Sequence, residues 1–179
     1  MKAILKISSL VLLTPLLVFS EVEVKFSPLG GFAFTAQQQL QKAKNKNDTL
    51  DIAVYHFGHK GAFFNAVKAA VLRGVKVRLL LNYAVAEWAT GDHDKIIAEL
   101  VPLKAPNLEI RKTNRNNHQK MALINIDQSD YAIVNSSGNW DSAPDRTYSE
   151  DALFITHEDN LRDLFKTQFE LLWEVSDRL

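Results

Sequence analysis

The sequence contains no cysteine, and this absence removes several functional classes at once. Structural disulfides, thiolate metal sites and cysteine nucleophiles are all excluded. The chain also has no formal net charge, because 21 lysine and arginine residues balance 21 aspartate and glutamate residues. A balanced charge argues against a general polyanion binder, so any attraction for nucleic acid must come from a local basic patch.

Proline and glycine are few as well, with 5 and 7 residues, and the sequence shows no low-complexity segment and no internal repeat. Hydrophobic residues make up 46% and charged residues 23% of the 179 positions, which is ordinary for a globular chain. A chain of this length can form one domain with a sizeable hydrophobic core.

The first 20 residues differ from the rest of the chain. Lys2 and Lys6 flank the start of a largely apolar run from Ile7 to Phe19, and the acidic Glu21 follows shortly after it. This pattern is typical of a secretory signal peptide, and the run is short for a membrane span. We therefore expect a periplasmic or secreted protein whose functional domain is residues 21–179. The alternative is an uncleaved anchor that holds the protein at the membrane, facing the periplasm.

Strand and helix patterns alternate from Glu21 onward. Leu50, Ile52 and Val54 belong to a buried strand, a helical stripe runs from Phe63 to Val71, and the next strand covers residues 75–81. A strand–helix–strand unit at this spacing makes a right-handed crossover between parallel strands. We predict an α/β fold with a mixed, mostly parallel sheet flanked by helices on both faces.

Local signals suggest where three helices begin. Thr35 and Gln38 resemble a capping box that opens a helix reaching about Lys46. A further helix is predicted from Asp94 to Leu103, with His93 at its solvated start, and a final helix opens near Asp159.

Polar residues of chemical interest lie beside two apolar runs. His118 and Lys120 begin the run that continues to Ile126, and the run from Tyr131 to Val134 leads into a turn that contains Ser137 and Asn139. The period of two puts His118 and Lys120 on one face of a strand. A hairpin-like return would bring Ser137 and Asn139 to the same end of the sheet. Together these groups could cradle a phosphate.

The order of these residues resembles the HKD motif of the phospholipase D superfamily, which is His-x-Lys-x4-Asp followed by Gly-Ser-x-Asn or Gly-Gly-x-Asn. The matching residues are His118, Lys120, Asn125 and Ser136-Ser137-Gly138-Asn139. The stretches 50–55, 73–78 and 150–155 extend the resemblance to the small single-motif bacterial endonucleases of that superfamily. Two positions depart from the motif, because Asn125 replaces an aspartate and Ser136 a glycine. Asp127 could partly substitute for that aspartate.

The resemblance implies a metal-independent phosphodiesterase that needs no cofactor, most simply an endonuclease of low specificity that cleaves DNA or RNA. His118 would attack phosphorus and form a phosphohistidine, while Lys120 holds the phosphate. Ser137 and Asn139 would donate hydrogen bonds, and Glu150 would bind the far nitrogen of the catalytic imidazole.

The implied mechanism uses two histidines, whereas this chain has one such motif. We therefore expect a homodimer in which two copies of His118 share one active site near a two-fold axis.

Four further residues are candidates for substrate binding. Arg111, Lys112 and Arg115 form a local basic patch ahead of His118, which suits a polyanion. His56 follows a buried strand and is expected near the substrate path. His56 and His59 form a His-x-x-His pair, but two ligands do not make a metal site, and we predict no metal.

Two other functions stay open at this point. A phospholipase that cleaves lipid is favoured if the N-terminal segment remains in the membrane. A non-catalytic nucleic-acid-binding protein is favoured by the loss of the motif aspartate at Asn125.

Overall fold

The structure is a computed structural model that describes residues 21–27, 31–83, 87–113, 115–141 and 149–179, with the side chains of residues 87–90 excepted. The predicted signal segment, residues 1–20, lies outside the described residues. Within the described ranges, no helix combines the length and the apolar character that a membrane crossing requires.

Strands and helices alternate along the described chain. The strands are β1 (Glu21–Phe26), β2 (Thr49–Val54), β3 (Lys76–Asn82), β4 (Leu108–Thr113), β5 (Lys120–Ile124), β6 (Ala132–Ser136), β7 (Asp151–Thr156) and β8 (Asp177–Arg178). The helices are α1 (Phe32–Leu40), α2 (Ala62–Leu72), α3 (Glu87–Leu100) and α4 (Asp159–Glu174), and a short 3-10 helix (Val101–Leu103) follows α3.

The strands form one 8-stranded sheet in the order β1-β7-β6-β5-β2-β3-β4-β8. β2, β3 and β4 are parallel neighbours, so the predicted β2–α2–β3 unit does join parallel strands. Every other neighbouring pair is antiparallel. The prediction of a mostly parallel sheet is wrong in this respect, because β5, β6, β7 and β1 each lie antiparallel to their neighbour instead of forming further crossover units.

Helices cover both faces of the sheet, which confirms the predicted α/β layers. α1, α2 and α3 bury residues such as Leu40, Val67 and Leu100 against one face. α4 packs Phe169 and Trp173 against the other face. The sheet is therefore buried on both sides, in agreement with the apolar residues that β2 and β5 carry on both faces.

Helix α1 begins earlier than its sequence signal suggests. It starts at Phe32, after Gly31 at a positive φ of 68°, and ends at Leu40. Thr35 lies inside the helix, so the predicted capping box and the predicted end near Lys46 are both wrong. Phe32, Ala36 and Leu40 are all buried at helical spacing, and this buried stripe places the first turn ahead of Thr35.

His93 is the largest departure from prediction. α3 begins at Glu87, so His93 lies within the helix and is fully buried instead of marking a solvated start. Its Nδ1–H group donates to the Asn82 carbonyl at 3.0 Å, and its Nε2 accepts the Phe57 N–H at 3.2 Å. Burial, aided by the nearby His56, lowers the pKa of His93 to about 4. A neutral His93 therefore joins α3 to the ends of β2 and β3.

Candidate active site

One end of the sheet gathers the polar residues singled out by the sequence. β5 begins with Lys120 opposite Val54, which ends β2. β6 ends with Ser136 opposite Ala152, near the start of β7. Because these strands are antiparallel, the residues before β5, after β6 and before β7 meet at the same edge. That edge is the candidate active site.

His118 and Lys120 are in direct contact at this edge. The Nζ atom of Lys120 lies 3.0 Å from Nδ1 and 3.2 Å from Nε2 of the His118 imidazole. Lys120 is 4% exposed, whereas His118 is open to solvent. The Tyr55 ring lies 4.4 Å from the imidazole centroid and 5.3 Å from Nζ of Lys120. A buried cation thus lies against an imidazole that an incoming molecule can reach.

The pKa values of both groups are lowered, for partly different reasons. Partial burial of the ring, together with the neighbouring Lys120 ammonium, lowers the pKa of His118. Burial lowers the pKa of Lys120, an effect that the carboxylate of Glu150 opposes. The His118 imidazole is therefore held toward its neutral form, which is the form that can act as a nucleophile or a base.

Ser137 and Glu150 form a hydrogen-bonded unit across the turn. The Ser137 Oγ–H group donates to Oε2 of Glu150 at 2.6 Å, and the Asp151 N–H donates to Oγ of Ser137 at 2.9 Å. The end of β1 secures the same segment, because the Glu150 N–H donates to Oγ of Ser27 at 2.9 Å and the Ser27 N–H donates to the Glu150 carbonyl at 2.8 Å. The carboxylate is thereby fixed at the site edge.

Gly138 is small because Glu150 passes close to it. A Cβ atom on residue 138 would lie 3.1 Å from Cγ and 3.2 Å from Cβ of Glu150, and 3.3 Å from the Phe32 ring. These distances are tighter than ordinary side-chain contacts, so a larger residue would displace the carboxylate or the turn.

Trp140 anchors the turn in the core. It is fully buried, stacks on Phe63 with ring centroids 5.0 Å apart, and donates its Nε1–H group to Oγ of Ser136 at 3.1 Å. The Ser136 hydroxyl in turn donates to the Gly138 carbonyl at 3.0 Å. The serine at the position of the motif glycine therefore braces the turn, and its φ is not positive, so no glycine is required there.

Asn139 and Glu150 differ in part from the geometry that the resemblance implies. The Oδ1 atom of Asn139 is buried and accepts no hydrogen bond from the described residues. Within the described chain, Glu150 bonds to Ser137 and not to the His118 imidazole. Glu150 instead acts on the site through its charge, which favours the protonated form of Lys120.

Asn125, the replaced motif aspartate, lies at the other end of β5. At the usual rise of a strand it is about 16 Å from Lys120. Its Oδ1 accepts the Thr49 N–H at 3.1 Å, and its own N–H donates to the Thr49 carbonyl at 3.0 Å. Asp127 is bonded to Lys166 of α4 at this same far end, so the structure contradicts the idea that Asp127 substitutes at the site.

The predicted substrate-binding residues divide into two groups. Lys112 lies with its Nζ 5.5 Å from the Tyr83 ring centroid, and Arg115 is exposed in the segment that leads to His118. Arg111 points to the opposite face of the sheet, where it stacks on Trp173 at 4.4 Å and donates to the Trp173 carbonyl at 2.7 Å. The structure therefore does not bring Arg111 to the candidate site.

His56 is a buried residue that contacts the turn after β6, and it does not line a solvent-accessible substrate path. It is 7% exposed, with Nδ1 3.4 Å from Oδ2 of Asp141 and Nε2 3.6 Å from Oδ2 of Asp92. Its carbonyl accepts the Trp140 N–H at 3.2 Å. These contacts tie the end of the Asn139-containing turn to α3.

The sequence analysis missed two residues that shape the site. Tyr55 packs against His118. The fully buried Asn82 accepts the Asn117 N–H and the Thr113 hydroxyl through Oδ1, each at 3.0 Å, and so holds the segment before His118. The available signal was position, since Asn82 is a polar residue that directly follows the apolar run Leu79–Leu81 at the carboxyl end of β3.

The described residues offer no metal centre at this site, and a large groove lies elsewhere. Among the described ranges, no group of three or more histidine, aspartate or glutamate side chains could hold a metal ion. A groove of about 1210 Å³ opens at the other end of the sheet, beside Gln128, Tyr131 and Arg162, and contains none of the residues around His118.

A comparison with protein-family models identifies the family. Residues 37–173 match the family model described as the PLD-like domain of cardiolipin synthase. No curated protein sequence matches the chain.

Three solved structures share the fold. The phospholipase D family member Nuc from Salmonella typhimurium aligns with a TM-score of 0.71 at 19% identity, covering 90% of this chain and 99% of Nuc. NucT from Helicobacter pylori aligns with a TM-score of 0.63 at 20% identity, covering 89% of this chain and 100% of NucT. Phosphatidylserine synthase from Haemophilus influenzae aligns with a TM-score of 0.70 at 11% identity, covering 89% of this chain and 40% of the synthase.

Proposed function

Because the chain belongs to the phospholipase D superfamily through its PLD-like domain, we propose that it is a phosphodiesterase, and specifically a metal-independent endonuclease of low sequence specificity. The observation that carries the proposal is the contact between the buried Lys120 ammonium and the solvent-accessible His118 imidazole. A phosphate that reached His118 would meet a fixed positive charge beside the attacking nitrogen.

The chemistry uses groups that are already in place. A neutral nitrogen of His118 attacks phosphorus, the bond to the leaving oxygen breaks, and a phosphohistidine forms. The Lys120 ammonium stabilises the charge that develops on the non-bridging oxygens. Water then attacks the phosphohistidine, which releases the phosphate product and restores the imidazole. The lowered pKa of His118 supports the first step, because it keeps the nitrogen lone pair available near neutral pH.

The leaving oxygen requires a proton from a second acid, and the other histidines of the chain do not supply it. All five histidines are among the described residues. His93 uses both ring nitrogens in the core, His56 lies buried between two carboxylates, and His59 is bonded to Glu99. His157 follows β7 at the far end of the sheet. We propose that the second acid is His118 of another copy, in a symmetric homodimer.

Subunit mixing tests the shared site. If subunits exchange freely, adding His118→Ala protein at fraction f leaves intact pairs in proportion to the square of (1 − f), so activity falls quadratically. His157→Asn protein, which alters an exposed histidine away from the site, is the control and should cause no fall. A strictly linear fall with His118→Ala would show that one chain is sufficient.

The choice of nucleic acid as substrate rests on charge near the entrance. Arg115 is exposed in the segment that leads to His118, and Lys112 lies near the end of β4 with its Nζ over the Tyr83 ring. A polyanion with many phosphates can use several such cations at once, whereas a single phosphate cannot. Aromatic rings near the phosphate site, such as Tyr55, suit unpaired bases.

An assay with excess chelator tests both the chemistry and the substrate. Single-stranded DNA, duplex DNA, RNA and phospholipid vesicles are incubated with the wild type, His118→Ala and Lys120→Met. We expect chelator-resistant cleavage of nucleic acid and a loss of roughly a thousandfold in each variant. Activity that returns only with magnesium would refute the phosphohistidine route. Cleavage confined to phospholipid would reassign the substrate, and binding without cleavage would make the protein a non-catalytic relative.

We also propose that residues 1–20 act as a signal peptide and that the enzyme works in the periplasm or outside the cell. N-terminal sequencing of protein from the cell envelope should then begin near Glu21. An intact Met1 or Lys2 in membrane fractions would favour an anchored enzyme.

A further inference from the structure

The outer edge of β1 has the features of a self-complementary docking surface. β1 is the first strand in the sheet order, and β7 is its only strand partner within the described ranges. Its outer backbone groups form a six-residue edge that another strand could extend.

The backbone groups that face outward can be assigned. The Ser27 N–H donates to the Glu150 carbonyl, in register with the β1–β7 ladder. Since hydrogen-bonded and non-hydrogen-bonded pairs alternate in an antiparallel ladder, Lys25 and Glu23 also face β7. The N–H and C=O groups of Val22, Val24 and Phe26 therefore face outward.

The apolar and the charged side chains of β1 lie on opposite faces of the sheet. Val22, Val24 and Phe26 lie on the α4 face of the sheet, opposite Ile155, Leu153 and Asp151, and they are 50%, 45% and 64% exposed. Glu23 and Lys25 lie on the other face and contact each other. An apolar stripe of this exposure on a strand edge is unusual for a surface that contacts only water.

We propose that a second copy of this chain docks on β1, antiparallel to it, with a two-fold axis at Val24. Val24 then faces its own copy, and Val22 faces Phe26 of the second copy. On the other face Glu23 lies opposite Lys25 of the second copy, and the symmetry repeats this pairing. The hydrogen-bonding positions are those with outward backbone groups, so the ladder closes without a bulge.

Charge selects this register over its neighbours. Pairing must keep the two faces of the sheet separate, so the nearest alternatives shift the axis by one residue to Glu23 or to Lys25. An axis at Glu23 sets that carboxylate against its own copy, and an axis at Lys25 does the same with two ammonium groups. Of these three axes, only the one at Val24 makes every directly opposed charged pair one of opposite sign.

This contact is separate from the shared active site proposed above. It lies along the side of the sheet, whereas His118 lies at an end. A chain that made both two-fold contacts would build assemblies larger than a dimer. A test of the β1 contact therefore does not depend on whether the protein is a nuclease.

Disulfide cross-linking of single-cysteine variants can measure the register of the β1–β1 contact. The chain has no cysteine of its own to interfere. Opposed Cα atoms in a hydrogen-bonded antiparallel pair are about 5.5 Å apart, which suits a disulfide. Under mild oxidation of the full chain, Val24→Cys should form a covalent dimer on a non-reducing gel. Val22→Cys, equally exposed on the same face, should remain monomeric, but should cross-link when mixed with Phe26→Cys.

Charge reversal tests whether the contact exists without the disulfide. Lys25→Glu should lower the association state seen by light scattering, and the double variant with Glu23→Lys and Lys25→Glu should restore it. Equal cross-linking of Val24→Cys and Val22→Cys would mean random collision and would overturn the proposal. Cross-linking of Glu23→Cys alone would overturn this register, and no cross-linking at all would mean that β1 is an isolated edge.

Discussion

Asn125 and Thr49 hold each other by a reciprocal pair of hydrogen bonds. The Thr49 N–H donates to Oδ1 of Asn125 at 3.1 Å, and the Asn125 N–H donates to the Thr49 carbonyl at 3.0 Å. Asn125 is 1% exposed and has a positive φ of 51°, a conformation that asparagine tolerates better than most residues. The pair ties the end of β5 to the start of β2, far from His118.

The first prediction follows from this pair. Asn125→Asp keeps an oxygen acceptor for Thr49, so we expect unchanged kcat for the folded protein. Asn125→Ala removes the acceptor and should lower the free energy of unfolding by about 1–3 kcal/mol, again with little change in kcat. Asn125→Gly also removes the acceptor but tolerates the positive φ, so the difference between the glycine and alanine variants measures the backbone strain. Urea unfolding and steady-state kinetics measure the two effects, and a large fall in kcat without loss of stability would contradict the prediction.

Substitution of Gly138 tests the close approach of Glu150. Gly138→Ala adds a Cβ atom 3.1 Å from Cγ of Glu150, so the carboxylate or the turn must move. We expect a clear loss of nuclease activity while the protein stays folded. Gly91→Ala is the matched control, because it meets nothing within 4 Å and lies inside α3. That control should keep full activity and gain about 0.5–1 kcal/mol of stability. Equal kinetics in both variants would show that Glu150 needs no fixed position.

His93 should make the free energy of unfolding depend on pH. Its folded pKa is about 4 against an ordinary value of 6.5, so the folded state disfavours protonation. The resulting stability is fully present above pH 6.5 and is lost as the pH falls from 6.5 through about 4, by about 3 kcal/mol. Urea unfolding at several pH values should show this slope in the wild type and a smaller slope in His93→Gln. His157→Asn, which changes an exposed histidine, should keep the wild-type slope.

The pKa of His118 can be measured without an activity assay. Burial and the Lys120 ammonium both lower it, so its NMR titration midpoint should lie below 6.5 in the wild type. Lys120→Met removes the positive charge but keeps an apolar stem of similar length, so the midpoint should rise. No change in that variant would mean that the ammonium does not act on the imidazole in solution. The acid limb of the pH–rate profile should follow the same wild-type midpoint.

Much of the site was predictable because its residues lie close in sequence. The two-residue spacing at the start of β5 predicted that His118 lies beside Lys120, and the short return through β6 predicted that Ser137 lies at the same edge. Contacts between distant segments were not predictable in this way. The bond from Ser137 to Glu150 depends on how β7 pairs with β6, and no local pattern encodes that pairing.

The errors have a similar physical cause. Arg111 and Lys112 are neighbours on a strand, so they must point to opposite faces, yet the sequence does not say which face meets Trp173. His93 was misplaced because the sequence Ala84-Val85-Ala86 before Glu87 contains none of the residue types that usually mark a helix start. In both cases a distant partner, Trp173 or Asn82, decides the environment of the side chain.

The bond between Asn125 and Thr49 also bears on how relatives of this chain are recognised. A search pattern that requires aspartate at this position requires a carboxylate. In this chain the position needs one oxygen acceptor and a residue that tolerates a positive φ. Proteins with asparagine there would be discarded by such a pattern although their His–Lys pair is intact. A pattern that accepts any hydrogen-bond acceptor able to adopt a positive φ at this position would retain them. Such a pattern would also separate the residue that holds the far end of β5 from the residues that react.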